Sequence, residues 1–183
     1  MPTLISGSTG VNKITDGTIV DADINASAAI AGSKISGSFG KVLQVVSLAD
    51  TTAVNSTSTT YADVYSLAIT PSATSSKILL LTTNHVYVTQ QTDDNWRGCL
   101  IRILRDSTVI SDDDAKYGEG FYLANNNDRW MTYSTRHILD SPNTTSAVTY
   151  KIQFASKTST QVTLNNADSY GSGGHLTLME IGA

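Results

Sequence analysis

The sequence is short of residues that several common protein classes need. Of its 183 residues only one is cysteine, Cys99, which excludes an intramolecular disulfide and any multi-cysteine metal site. Only two are glutamate, Glu119 and Glu180. Glutamate, lysine and arginine cover the exposed faces of soluble helices, so their scarcity argues against a helical protein. The 12 basic residues are outnumbered by 16 acidic ones and form no cluster. That removes the phosphate-tracking surface on which nucleic-acid binding depends. The longest uninterrupted aliphatic run, Ile78 to Leu81, is far too short to span a bilayer. No charged-then-apolar leader opens the chain. Large side chains are scarce in residues 1–40, where the one aromatic is Phe39. Such a segment cannot bury a core of its own and needs partners.

Small hydroxyls are abundant: 22 serines and 25 threonines make up 47 of the 183 residues. With 40% hydrophobic and 15% charged residues, the composition predicts a soluble, β-rich protein. Its character changes along the chain. Residues 1–92 hold 9 of the 28 charged side chains, and six of the 13 glycines lie in residues 1–40. We place a boundary near Gly37–Gly40, giving an N-terminal segment over 1–40 and a head domain over 41–183.

The first segment is regular. In ITDGTIVDADINASAAIAGSKI, isoleucines fall at Ile14, Ile19, Ile24, Ile30 and Ile35, at spacings of 5, 5, 6 and 5. That matches neither the 3.6-residue helix period nor the two-residue strand period. Three copies side by side could turn these isoleucines onto one axis, as a trimeric stalk. A Ser/Gly/Ala linker is the plainer alternative, and a short helix over 22–31, capped at Asp23, is a third.

The second segment reads as strands. Val148, Tyr150, Ile152 and Phe154 alternate with Thr149, Lys151 and Gln153, the pattern of a strand with one buried face. Tyr61 to Ile69 alternates similarly and ends at Pro71. Lys77 to Val88 opens as a continuous apolar run, which predicts a strand covered on both faces. Gly98 to Arg105 puts Cys99, Ile101 and Ile103 on one face and Leu100, Arg102 and Leu104 on the other. Arg129 to Leu139 is β-favouring and leads into the turn signal Asp140-Ser141-Pro142-Asn143. Shorter candidates are 42–48, 108–110, 120–123, 161–164 and 175–181. Roughly eight to ten strands suit a two-sheet sandwich of jelly-roll type.

The repeat ITDGTIVDADINASAAIAGSKI resembles the stalk repeats of tailed-phage fibre and appendage proteins, particularly those of marine and cyanobacterial phages. GKVLQVVS, ITPSATSSKILLL, DSPNTTSAVTYKIQF and HLTLMEIGA resemble the terminal domain that often follows such stalks. The resemblance runs from about Ile14 to Ala183. It implies an all-β, tumour-necrosis-factor-like jelly roll, preceded by an extended stalk, trimeric and carried on a virion surface. Phage fibres usually bear a sizeable attachment domain, whereas here about a dozen residues precede the repeat. The expectation is therefore a short appendage, seated through its N-terminal segment on another fibre protein, the tail or the major capsid protein.

Catalytic signals are thin. G-x-S-x-G, the phosphate-binding G-x-x-x-x-G-K-[ST] and H-E-x-x-H are all missing. Gly118-Glu119-Gly120 and Gly171–Gly174 read as turns. The histidines, His85, His137 and His175, lie far apart without metal-ligand spacing. Asp112-Asp113-Asp114 and Asp93-Asp94-Asn95 offer hard oxygen ligands but lack the alternation of a calcium loop, so they read as solvated turns. Six of the 13 aromatics lie between Trp96 and Tyr133. Asp93, Asp94, Asn95, Trp96, Tyr117, Tyr122, Asn126, Arg129 and Trp130 form a candidate ligand surface: ring faces beside amides and carboxylates suit a sugar. The same residues equally suit core or subunit contacts. The expected protein is a non-enzymatic phage virion component on the particle surface, in the tail fibre or on the capsid exterior. It is a homotrimer that contributes to host attachment through a host surface glycan, with no cofactor, no metal, no nucleic acid and no membrane insertion. A capsid decoration protein and a virion-associated glycan hydrolase are the alternatives.

Overall fold

In the computed structural model, the described residues are 42–88, 95–113, 119–123, 130–159, 161–165 and 173–182, with backbone alone at 95, 96 and 119–123. The stalk segment and its five isoleucines lie outside them. The described residues form eleven strands and no helix: β1 (Val42–Asp50), β2 (Val54–Ser56), β3 (Ala62–Ile69), β4 (Lys77–Val88), β5 (Asn95–Arg105), β6 (Thr108–Asp112), β7 (Glu119–Leu123), β8 (Trp130–Asp140), β9 (Val148–Ser156), β10 (Val162–Leu164) and β11 (Gly174–Ile181).

They pair entirely antiparallel into two sheets. The larger, six-stranded sheet runs β1-β11-β4, with β8 on the opposite edge of β4, and β10 and β2 continuing beside β11. The smaller runs β3-β9-β5, with β6 and β7 dividing the far edge of β5. Successive long strands alternate between sheets, and the first and last lie side by side. This is the strand order of a jelly roll, and the two sheets form a sandwich.

Period-two alternation fixes the packing. In β4, Ile78, Leu80, Val86 and Val88 are fully buried, joined by Leu176 and Leu178 of β11. The smaller sheet answers with Ile101, Ile103, Tyr150, Ile152 and Phe154. Each such side chain contributes about 1.5–3 kcal/mol by leaving water. Cys99 lies in this core.

Polar groups clamp the sheets together. Tyr65 donates from β3 to Asn84 Oδ1 of β4 at 2.6 Å and lies 2.9 Å from the Thr82 hydroxyl, while Asn84 Nδ2 donates to Thr82. At one end of the sandwich, Arg105 Nη1 reaches both Asp140 oxygens at 2.7 and 2.8 Å, and Tyr150 donates to the same carboxylate at 2.6 Å. At that end Glu180 is also fully buried. It accepts from Gln44 Nε2 at 2.6 Å, from the Ser72 amide at 2.7 Å and from the Ser72 hydroxyl at 2.6 Å. Burial pushes its carboxyl up, but the hydrogen bonds from Ser72 and Gln44 outweigh that and hold its pKa at about 2.

Two expectations from sequence are corrected. Glu119 and Gly120 do not form a turn: they belong to β7 and pair with Cys99 and Gly98. β4 is not fully covered on both faces among the described residues: Leu81 is 37% exposed on the side away from the core.

Candidate functional site

The uncovered side of β4 belongs to a continuous surface. On the outer face of the larger sheet, Val45 of β1 opposes Met179 of β11, Met179 opposes Leu79 of β4, and Leu79 opposes Leu139 of β8. This apolar row crosses four strands from edge to edge, and its ends are open: Val45 is 53% and Leu139 55% exposed. The next row is Ser47, Thr177, Leu81 and His137, and the one after is Ala49, His175, Thr83 and Thr135. Beyond these, His85 opposes Tyr133, and Tyr87 opposes Met131. Met131 and Tyr133 are both exposed.

The face is almost without charge. Alternation turns Asp50, Arg136, Asp140 and Glu180 toward the inner side, leaving Lys77, at one end, as the one formally charged side chain on this face among the described residues.

The outer face of the smaller sheet is the opposite. There Lys151 pairs with Asp63 at 3.0 Å, Gln153 donates to Asp63, and Arg102 Nε donates to Gln153 at 2.6 Å. The Arg102 guanidinium sits 4.1 Å above the Tyr61 ring, and Tyr61 donates to Asp112 at 2.6 Å. Partial burial and then the Asp112 carboxylate push the Tyr61 phenol up. One sheet thus shows water a linked set of charges, and the other shows it apolar rows.

All three histidines lie on the uncharged face, although they are remote in sequence. They do not converge as ligands, and no group of three or more His, Cys, Asp or Glu suited to a metal occurs among the described residues. His137 and His175 are exposed. His85 is 1% exposed, with neither ring nitrogen hydrogen-bonded. Its ring lies 5.2 Å, centroid to centroid, from that of the exposed Tyr133, and burial holds its pKa below the ordinary imidazole value.

The ligand surface expected from sequence is placed only in part. Trp96 and Tyr122 are register partners in β5 and β7, as are Asn95 and Leu123. Trp130 starts β8 opposite Val88 in the other sheet. Val88 and Trp130 thus close one end of the β4–β8 pair, and Asn95 and Leu123 one end of the β5–β7 pair. Asp93, Asp94, Tyr117, Asn126 and Arg129 lie outside the described residues. In the acidic run, Asp112 holds Tyr61, and Asp113 accepts the Ile101 amide at 2.9 Å and pairs with Arg136 at 2.9 Å. Both carboxylates serve as internal hydrogen-bond acceptors.

No family model matches the chain, and no curated protein matches it. Among solved structures, one titled "Structure of infectious bursal disease virus Gx strain" aligns with 78% of this chain and 36% of its own, at 14% sequence identity and a TM-score of 0.36. The chain thus spans little more than a third of the length of that protein.

Sequence reading missed the uncharged face. Its signal was present as parity: Leu79, Leu81 and His85 share one phase of β4, as do Met131, Tyr133, His137 and Leu139 in β8. The strand order that sets these phases side by side was not readable from spacing.

Proposed function

We propose that this chain is a non-enzymatic structural protein of a phage particle, displayed on the virion surface as a homotrimer that contributes to host attachment. The observation that carries the reading is the apolar row Val45–Met179–Leu79–Leu139 on an outer face nearly free of charge. Four strands at about 4.8 Å spacing and roughly 33 Å long cover about 600 Å² before side-chain relief. A standard interface buries about 800 Å² per partner, so the flat area of this face supplies about three-quarters of one. A net charge of −4 makes copies repel elsewhere, and a face without carboxylates is where they can meet. Because the row runs from edge to edge, the β8 end of one copy can meet the β1 end of the next. Such a heterologous contact closes into a ring.

The isoleucine-spaced segment precedes Val42 in sequence, and the resemblance to phage fibres implies a stalk there. The buried polar clusters support a structural role: Glu180 and Asp140 are occupied by internal donors that hold the sandwich shut. Attachment through a glycan would fall to the end carrying Trp96, Tyr122 and Trp130.

Mass measurement of the purified full chain by light scattering tests the assembly, with three copies expected at micromolar concentration. A monomer would overturn it. Antibody against the head should reduce phage adsorption, while unchanged adsorption with the protein located on the capsid would replace attachment by shell decoration. Release of reducing sugar from host polysaccharide would replace both by hydrolysis.

A further inference from the structure

The histidines stand apart from the hydrogen-bonded clusters that join the sheets, and all three occupy the face on which copies are proposed to meet. We infer that this contact between copies is released by mild acid, with His85, His137 and His175 as the trigger; the inference rests on the assembly reading above.

The argument begins with what surrounds each ring. His85 faces Tyr133 of β8, with Tyr87 on its own strand and Asn165 beside it, whose amide donates to the His85 carbonyl. His175 faces Thr83 of β4 and Ala49 of β1. His137 faces Leu81, with Thr177 beyond it. From β2 and β10 the outer side adds Asn55 and Thr163, which bond to each other. Among the described residues Lys77 is the one formal charge on this face, and it is positive. Among the described residues no carboxylate faces any of the three rings.

When a second copy covers this face, it brings the same set: three imidazoles, a lysine, hydroxyls and apolar side chains. At neutral pH neutral imidazoles fit such a contact. Histidine is the side chain whose charge changes between pH 5 and 8. A proton on any of these rings places an uncompensated cation in a closing interface, opposite more of its own sign, and burying such a charge is strongly unfavourable.

His85 makes the coupling tight. Its ring nitrogens are buried without partners, with the Tyr133 ring 5.2 Å away, so taking up a proton requires the packing around the ring to open and water to enter. The sign follows from linkage: a ring that binds a proton more weakly when covered stabilises the covered state at high pH. That contribution is lost as pH falls from the ordinary imidazole range.

The test uses the full chain and peroxide oxidation of Met131 and Met179, both on this face, with free methionine as the rate reference. Peptide mass spectrometry reads each site, light scattering gives the mass, and circular dichroism follows the fold. Both methionines should be protected at pH 7.5 and reactive at pH 5.0 with the fold intact. The opening constant should rise as pH falls from 7.5 to 5.0, by about tenfold per unit of pH for each proton taken up. His137→Gln with His175→Gln, both exposed positions, should make that dependence shallower. Three results separate the ideas. A monomer with reactive methionines at pH 7.5 overturns the assembly reading itself. Protection at both pH values leaves the assembly standing and overturns acid release. A double variant with the wild-type pH dependence removes the histidines as trigger.

Discussion

The Tyr65 phenol of β3 donates to Asn84 Oδ1 of β4, 2.6 Å away, across the apolar core. With Thr82 these groups close a small ring of hydrogen bonds between the two sheets. Burial, the largest influence, pushes the Tyr65 pKa up to about 12, so the phenol stays protonated and available as a donor. Tyr65→Phe leaves the Asn84 oxygen with no donor in a dry site. The expected loss is about 1–3 kcal/mol of unfolding free energy, measured by urea denaturation. A Tyr65→Phe, Thr82→Val, Asn84→Leu triple variant should recover part of it, since no member of the ring is then stranded.

Glu180 gives the head an acid limit. Its pKa is about 2 in the fold, against an ordinary value of 4.5, so below pH 4.5 the unfolded chain binds the proton more readily. The resulting stabilisation, on the order of 3 kcal/mol, is fully present above pH 4.5 and is lost as pH falls toward 2. Glu180→Gln should be less stable at pH 7 and should show a flatter dependence between pH 4.5 and 2. Parallel curves for the two proteins in urea titrations would assign acid sensitivity to another group.

Gly173 has a φ of 80°, and a Cβ there would lie 2.6 Å from the Asp50 carbonyl oxygen. The turn before β11 thus needs glycine for conformation and for space. Gly173→Ala should lower stability by about 1–3 kcal/mol, read as a lower midpoint of thermal unfolding. It disturbs the β1–β11 pairing, because Asp50 opposes Gly174.

Leu139 separates folding from assembly. It is more than half exposed at the end of the apolar row, so Leu139→Glu should change the unfolding free energy by no more than about 0.5 kcal/mol. In a contact between copies the same carboxylate would be buried against apolar groups and would weaken association sharply. Light scattering should show a reduced mass with an unchanged urea midpoint.

Much of the head was readable because alternation is a local property. The phase of Val148 to Phe154 announced β9, and the two faces of Gly98 to Arg105 are those of β5. Pro142 and Asn143 ended β8 where turn chemistry places a break, Asn143 adopting a φ of 53°. Three-residue β2 escaped, since Val54–Ser56 is too short for a period and is held by β10, its partner more than a hundred residues away. The uncharged face escaped for a related reason. Each strand declares which of its residues share a side, but the neighbourhood of His85, His137 and His175 depends on strand order, set by the packing of the whole sandwich. The apolar run of β4 was read as covered on both faces, because a continuous run does not show that Leu81 turns away from the core.

Cys99 sits at zero exposure in β5, paired on one side with Glu119 and on the other with Ser156. It is the chain's one sulfhydryl, and it lies in the smaller sheet, away from the uncharged face. A maleimide can reach it only when β5 parts from its neighbours. Alkylation of this single atom therefore clocks the opening of the head from within, separately from any event on its outer faces.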